Sequence, residues 1–383
     1  SLYRSVWSER SIVELAAAAM MDEEETMFAM DVEGSSSPPA QLGNRDVSMS
    51  DLSSFRMDPS NEAIPRCVQP DFSGVPMIKR PLIELLFQHK CYEAMPTSAK
   101  VVVLDTELPV KDAFHVAHEH GIIFATLWNS EEKHFEGMLT ITDFIDMLLH
   151  FHHEPDTITV MKQLENHRIK TWRAMGSRKR PQKLVFISPD HTLLDAVQVL
   201  ITNRIHRLPL IHETALLNIM TYEAILEFLH YNVDASVPLL SKTIAELDIG
   251  SFEEVVTASP QDSLLMVLDI FTKRSISAVP VVNEENSLVD IFSRSDVMYL
   301  AADRKYDLEI PLEEALECRP KLEGGICTCV ADDTLALVIS SLVTNRVHRL
   351  IVVNSFNQIE GIVSTTDIFH FLFGDLFPRK SST

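Results

Sequence analysis

From residue 79 onward the apolar positions of the chain fall into two alternating rhythms. In Val110 to Glu119, Leu193 to Thr202, Leu264 to Lys273 and Leu335 to Thr344 they recur every three or four residues, which predicts helices with one buried face. Each is followed by a short apolar run rich in β-formers, read as a strand: Ile122 to Trp128, Ile205 to Ile211, Ile276 to Val282 and Val347 to Val353. After a turn, a second strand ends on a hydroxyl residue and passes into another helix. These junctions are Met138-Leu139-Thr140 before Asp143, Ile219-Met220-Thr221 before Ala224, Asp290-Ile291-Phe292-Ser293 before Asp296, and Ile362-Val363-Ser364 before Asp367. Helix, strand, strand, helix therefore occurs four times, an internal repeat.

The spacing of equivalent positions is nearly constant from Ala224 through Asp296 to Asp367. It is longer from Asp143 to Ala224, where a basic connection, Arg168 to Lys183, intervenes. A unit this small leaves one face of its sheet uncovered, so it has to pack on a neighbour. The expected fold class is α/β, with four helix-strand-strand-helix repeats in two pseudo-symmetric pairs and ligand clefts where sheets meet. The expected divisions are a tail over 1–76 and repeats over 77–160, 161–235, 236–306 and 307–383. The tail holds an acidic cluster, Asp22 to Glu25, and a Ser/Pro stretch, Gly34 to Pro39, a composition expected to be disordered. Within it Ser11 to Met21 has the cap and periodicity of one short helix.

Composition changes the picture only by exclusion. With 46% apolar and 23% charged residues the chain is of ordinary globular type, and no apolar stretch approaches the roughly 18 residues of a membrane span. A net charge of −22 argues against nucleic acid or anionic membranes as partners, so any anion site has to be built locally. Five cysteines suit a reduced intracellular compartment, and the opening segment lacks the pattern of a secretory signal. The expected location is cytoplasmic, with the nucleus as a second compartment. Cys327 and Cys329 have half of a metal-site spacing without a second half, and fit alternating positions of a strand. His115, His118, His120 and His150, His152, His153 cluster without a completing carboxylate, so no metal is expected. No phosphate loop, nucleophile elbow or kinase signature is present, so no catalytic residues are expected.

The chemistry concentrates at the junctions. Thr140, Ser293 and Ser364 each precede an Asp by three residues: Asp143, Asp296 and Asp367. Helix capping explains each junction singly, while the free N–H groups of such a turn also suit a phosphate. Copies two and four add His206-Arg207-Leu208 and His348-Arg349-Leu350 at the entrance of the first strand. An Arg fork fits phosphate oxygens, and a carboxylate accepts both hydroxyls of a ribose. An ion pair between copies is the competing explanation for these charges.

Ile205-His206-Arg207-Leu208-Pro209, Leu139-Thr140-Ile141-Thr142-Asp143 and Val347-His348-Arg349-Leu350 resemble the γ regulatory subunits of AMP-activated protein kinase, built of CBS repeats. The resemblance runs from about Pro81 to Phe373 and extends through Cys91-Tyr92-Glu93, Pro96-Thr97-Ser98, Thr171-Trp172-Arg173 and Gly361-Ile362-Val363-Ser364. It implies two CBS pairs forming a disc with up to four adenine-nucleotide sites, a non-catalytic role, and a heterotrimer with a catalytic α and a scaffolding β subunit. The implied ligands are AMP, ADP and ATP, with no cofactor. By position it implies ribose contacts at Asp143, Asp296 and Asp367, and phosphate contacts at His206, Arg207, His348, Arg349 and Arg319. Ser364 and Thr366 match hydroxyls near the phosphate of the fourth-copy site, lined from copy three by Ser251, Val256, Ser277 and Ala278. Met138, Thr140 and Val185 match the lining of the first-copy site, and Ser293 the copy-three junction.

Ile123, Glu223 and Ser275 stand where the family pattern carries Arg, Lys and Arg. A carboxylate about 4 Å from a phosphate costs on the order of 4 kcal/mol at an effective dielectric near 20. Weak binding is therefore expected at Asp143, with Asp367 and then Asp296 favoured. Two further readings keep the fold: a CBS module regulating another enzyme or transporter, and a scaffold subunit with little nucleotide sensing.

Overall fold

The computed structural model describes residues 72–96, 101–119, 124–152, 167–175, 184–213, 215–302, 307–320 and 325–377. The Ser11 to Met21 helix, Ile122, Ile123, Thr97, Ser98 and the second half of the basic connection, 176–183, lie outside the described residues. At the near end of the tail, Phe72–Gly74 forms one turn of 3-10 helix and Val75 is buried in the core, so core packing begins before residue 77.

The elements follow in order. Helix α1 is Arg80–Gln88. Copy one contains β1 Val103–Asp105, α2 Val110–Glu119, β2 Phe124–Asn129, β3 His134–Thr140 and α3 Ile141–Phe151. Helix α4, Ile169–Met175, leads to copy two: α5 Leu193–Asn203, β4 Arg207–His212, β5 Ala215–Thr221 and α6 Tyr222–Asn232. Helix α7, Ile244–Leu247, leads to copy three: α8 Leu264–Lys273, β6 Ala278–Val282, β7 Leu288–Ser293 and α9 Val297–Ala302. Helix α10, Leu312–Glu317, leads to copy four: β8 Thr328–Cys329, α11 Leu335–Thr344, β9 Arg349–Val353, β10 Ile359–Ser364 and α12 Thr365–Phe373.

The first helix of copies two, three and four starts on the same device. Thr192, Ser263 and Thr334 accept from the N–H three residues on, at 3.0, 3.3 and 3.3 Å, removing one of the orphan donors of a helix end. Copies one and four carry three-stranded sheets, β1-β2-β3 and β10-β9-β8. In copies two and three the third strand shrinks to single parallel bridges, Ile187 to Leu210 and Ala258 to Val281. The first strands begin later than the apolar runs suggest. Arg204 and Arg346, at φ 54° and 53°, turn the chain after α5 and α11, and the ladders start at Arg207 and Arg349. His206 and His348 thus sit in the turn ahead of the strand, not within it.

The short helices ahead of each copy are exchanged. The segment after α1 bonds to copy two (Cys91 N to His191 O, 2.8 Å), while α4 bonds back to copy one (Ile169 N to Leu108 O, 3.1 Å). Likewise α7 bonds to copy four (Ile244 N to Asp333 O, 3.0 Å) and α10 to copy three (Leu312 N to Asp262 O, 2.8 Å). This reciprocal exchange pairs one with two and three with four. The core then joins the pairs crosswise. One cluster holds Leu82, Leu200, Leu226, Val338, Phe369 and Phe373, from α1 and copies two and four. Another holds Leu127, Phe144, Ile169, Phe271, Phe292 and Leu312, from copies one and three with α4 and α10. At roughly 1.5–3 kcal/mol per buried large side chain, these clusters bind the copies into a closed ring, each touching its exchange partner and its core partner.

Candidate functional site

Three strand-to-helix junctions fold as reciprocal caps. At each, one Asp oxygen, Oδ2, accepts from the backbone N–H and the hydroxyl of the residue three before it. The pairs are Asp143 with Thr140 (2.8 and 2.9 Å), Asp296 with Ser293 (2.7 and 2.8 Å) and Asp367 with Ser364 (2.8 and 2.6 Å). In copy two Thr221 still accepts from Ala224 N at 3.2 Å, but Ala224 has no carboxylate to accept from the Thr221 N–H. Capping therefore accounts for Oδ2 and fixes the carboxylate rotamer. On Asp367 it leaves Oδ1 without a hydrogen bond among the described residues.

Between the junctions, side chains from all four copies meet. Glu223 Oε1 at the start of α6 lies 2.8 Å from His348 Nδ1, and the His348 carbonyl takes the N–H and hydroxyl of Thr365 at 3.0 and 3.1 Å. Arg207 stacks on the Phe124 ring of copy one, 4.4 Å from its centroid. Arg349 Nη2 donates to Ser277 Oγ of copy three at 3.0 Å. Arg294 of copy three donates to Thr142 Oγ1 of copy one at 3.1 Å and to the Phe271 carbonyl at 2.6 Å. His206 packs edge-on to Tyr222, 5.9 Å away.

Each charge in the cluster feels the others. Burial lowers the pKa of Arg207, opposed by Glu223. Burial likewise lowers that of Arg349, opposed by Asp296 and Glu223. Burial and then the charge of Arg207 lower His206. Burial pushes Glu223 up, but its hydrogen bond to His348 and the charge of that ring outweigh this and hold it down to about 2. Three guanidiniums and two imidazoles thus lie around Glu223, with Asp296 acting on Arg349 as well, a local surplus of positive charge in a chain of net −22. Such a surplus suits a multiply charged anion.

Three stretches, 180–231, 248–303 and 325–374, match the model of the CBS domain family. The chain is 38% identical over 310 residues to the AMP-activated protein kinase subunit gamma of Dictyostelium discoideum, covering 78% of this chain and 54% of that one. It is 40% identical over 291 residues to subunit gamma-3 of Bos taurus, covering 74% and 58%. Over about three quarters of its length the chain is similar to AMP-activated protein kinase γ subunits. It spans a little over half the length of these relatives. Its fold is similar to a crystal structure of a Methanocaldococcus jannaschii protein at a TM-score of 0.60 and 16% identity, covering 74% of this chain and 99% of that one. Copy one lies outside the stretches that match the CBS model, yet β2, β3 and α3 repeat the architecture of the other three copies.

In this chain the residues expected at the fourth-copy site come together in part. Ser251 and Ile362 exchange backbone hydrogen bonds of 2.8 and 3.0 Å, which lays copy three on β10 two residues before Ser364. Ser277 joins through Arg349, and Ala278 is its buried neighbour. Thr366 follows in the first turn of α12, and Val256 packs at the edge of the core of copies one and three. For the first-copy site, Met138 pairs with Thr126 in the β2-β3 hairpin, while Val185 packs on the core of copies two and four.

Arg319 lies among carboxylates. Expected as a phosphate contact, it is held by Asp290, by Asp296 Oδ2 at 3.3 Å and by the Ile291 carbonyl at 2.8 Å, with its side chain 7% exposed. Two carboxylates and a carbonyl already engage its fork. Ser275 is the left-handed residue ending α8, at φ 57°, the place Arg204 and Arg346 hold in copies two and four. Sequence reasoning missed Arg294, whose only signal was a cation directly after the copy-three hydroxyl. Among the described residues no group of three or more His, Cys, Asp or Glu side chains could hold a metal ion, and no helix is long and apolar enough to cross a membrane.

Proposed function

We propose that this chain is a non-catalytic regulatory subunit of an AMP-activated protein kinase, binding AMP, ADP and ATP competitively in clefts between its CBS repeats. The reading rests on one observation above the rest: Asp367, with Oδ1 unbonded, stands at a junction stitched to copy three through Ser251, beside Arg349 and His348. There a carboxylate for ribose hydroxyls and cations for phosphate come from different copies. Asp367 is the favoured ribose contact, with Ser364, Thr366, Ser251, Val256, Ser277 and Ala278 around it and His206, Arg207, His348 and Arg349 toward the phosphates. Asp296 with Ser293 is a second candidate, and Asp143 with Met138, Thr140 and Val185 a third.

Exchange of one nucleotide for another is proposed to change how the ring holds a catalytic α and a scaffolding β subunit, since a ligand shifts an equilibrium only by its differential affinity. The proposed setting is the cytoplasm, with the nucleus as a second location and neither nucleic acid nor membrane as partner. Calorimetric titration of the purified complex with AMP and ATP tests the reading. Saturable binding weakened at least tenfold by Asp367→Ala supports it; no heat from either nucleotide sinks it. The Glu223–His348 contact favours a second reading, a scaffold subunit with little sensing, because that carboxylate already occupies one cation of the cluster.

A further inference from the structure

Copies one and three each receive an arginine at the same strand position, and among the described residues only one of the two finds a hydrogen-bond partner. In copy three the residue three before Ser293 is Asp290, whose carboxylate bonds the Arg319 guanidinium. The hairpin registers, Val281 opposite Asp290 and Leu127 opposite Gly137, put Gly137 at the corresponding place in copy one. Here the guanidinium of Arg173, from the exchanged helix α4, lies against the bare glycine. A Cβ built on Gly137 would fall 2.6 Å from Nη2 and 2.7 Å from Nη1.

The two arginines differ in what surrounds them. Arg319 has two carboxylates and a carbonyl, whereas Arg173 Nη1 is buried without any hydrogen-bond partner. A guanidinium stays charged at every accessible pH, and an unmatched buried donor on it is costly. Replacing the Asp of this strand position by Gly removes both the partner and the side chain that would fill its place. In copy three a guanidinium at this register reaches the junction Asp at 3.3 Å. In copy one the guanidinium of Arg173 lies against Gly137, on the strand that leads into the Thr140–Asp143 junction three residues later.

We propose that Arg173 is an anion-binding residue of copy one, its fork taking a phosphate group of a ligand seated at the Thr140–Asp143 junction in place of the carboxylate that Asp290 supplies in copy three. That the ligand is a nucleotide rests on the function proposed above; that Arg173 takes a phosphate does not. Ranking the junctions by Ile123 and Glu223 alone omits this cation, so the Asp143 junction binds more strongly than those two positions imply.

The test uses the full chain and two probes, AMP by calorimetry and inorganic pyrophosphate by thermal shift. The variants are Arg173→Gln, Arg173→Lys, Asp143→Ala, and Lys170→Gln as a control on the same helix, where Lys170 pairs with Glu131 at 2.7 Å. Arg173→Gln is expected to weaken at least tenfold the same AMP site that Asp143→Ala removes, with Arg173→Lys intermediate and Lys170→Gln unchanged. Pyrophosphate is expected to raise the melting temperature of the unaltered chain more than that of Arg173→Gln. Without ligand, Arg173→Gln should melt no lower than the unaltered chain, because it removes a buried donor that has no partner. A lowered melting point without ligand, or AMP and pyrophosphate responses equal to the unaltered chain, overturns the proposal. If AMP binds nowhere but the pyrophosphate response depends on Arg173, the nucleotide reading falls and the phosphate site stands; if neither probe acts, both fall.

Discussion

Glu223 Oε1 of copy two and His348 Nδ1 of copy four stand 2.8 Å apart, so an acidic side chain occupies the basic centre of the ring. Its carboxyl is held down to about 2 from an ordinary 4.5. A carboxyl depressed on folding stabilises the fold above its unfolded pKa, and that stabilisation is lost as pH falls from about 4.5 toward 2. With 39% of the side chain exposed, solvent screening keeps the contribution below about 1 kcal/mol. Glu223→Gln is therefore expected to flatten the acid limb of the stability curve slightly. It should tighten AMP binding by about tenfold or more, since one opposing charge leaves the cluster. Urea titrations between pH 2 and 6, with calorimetry at neutral pH, check both; unchanged affinity would remove Glu223 from the site.

Asp367 does two jobs that two substitutions separate. Asp367→Ala loses the reciprocal cap with Ser364 and should cost about 1 kcal/mol in stability along with nucleotide affinity. Asp367→Asn keeps an acceptor for Ser364 N but no longer offers a carboxylate to a diol. It is expected to melt near the unaltered chain and still bind AMP at least tenfold more weakly. Equal affinity for Asp367→Asn and the unaltered chain would make this Asp a cap alone.

Arg319 is expected to matter for stability more than for ligands. Removing it leaves Asp290 and the buried Asp296 without their counter-charge, a loss of about 3–5 kcal/mol for a buried pair broken on one side. Arg319→Ala should lower the urea midpoint sharply, while Asp290→Asn, which leaves Asp296 in place, should lower it less. AMP binding weakened at Asp367, with stability unchanged, would restore the ligand role the sequence suggested.

Much of this architecture was legible because two periods and one cap recur. Val110–Glu119, Leu264–Lys273 and Leu335–Thr344 form with the limits their apolar spacing predicts, and every second strand ends on its hydroxyl residue. These are local properties, set within a dozen residues. What the sequence does not display is which surfaces meet. The exchange of α4 onto copy one depends on backbone hydrogen bonds, such as Val110 N to His167 O at 2.9 Å, that no side-chain pattern encodes. The same holds for charge. The resemblance implies phosphate contacts at both Arg319 and Arg349, but Asp290, ordinary in its own strand, claims the first, while among the described residues Arg349 hydrogen-bonds only Ser277 Oγ.

The fourth-copy junction depends on a close backbone crossing that a single methyl group should disturb. Ser251 and Ile362 exchange hydrogen bonds across it, and a Cβ on Gly361 would fall 2.8 Å from the Phe252 ring and 2.9 Å from the Ser251 carbonyl oxygen. The ring has some freedom to swing. The carbonyl does not, because it is bonded to Ile362 N at 3.0 Å. Gly361→Ala is therefore expected to push copy three away from β10, at a cost of about 1–3 kcal/mol for overpacking. Gly74→Ala, with nothing within 4 Å of the added atom, should be neutral. If Ser251 and Asp367 line one cleft, Gly361→Ala also weakens AMP binding severalfold even under conditions where the protein stays fully folded. A variant that melts earlier yet binds AMP as before would separate the crossing from the nucleotide cleft and place the ligand elsewhere in the ring.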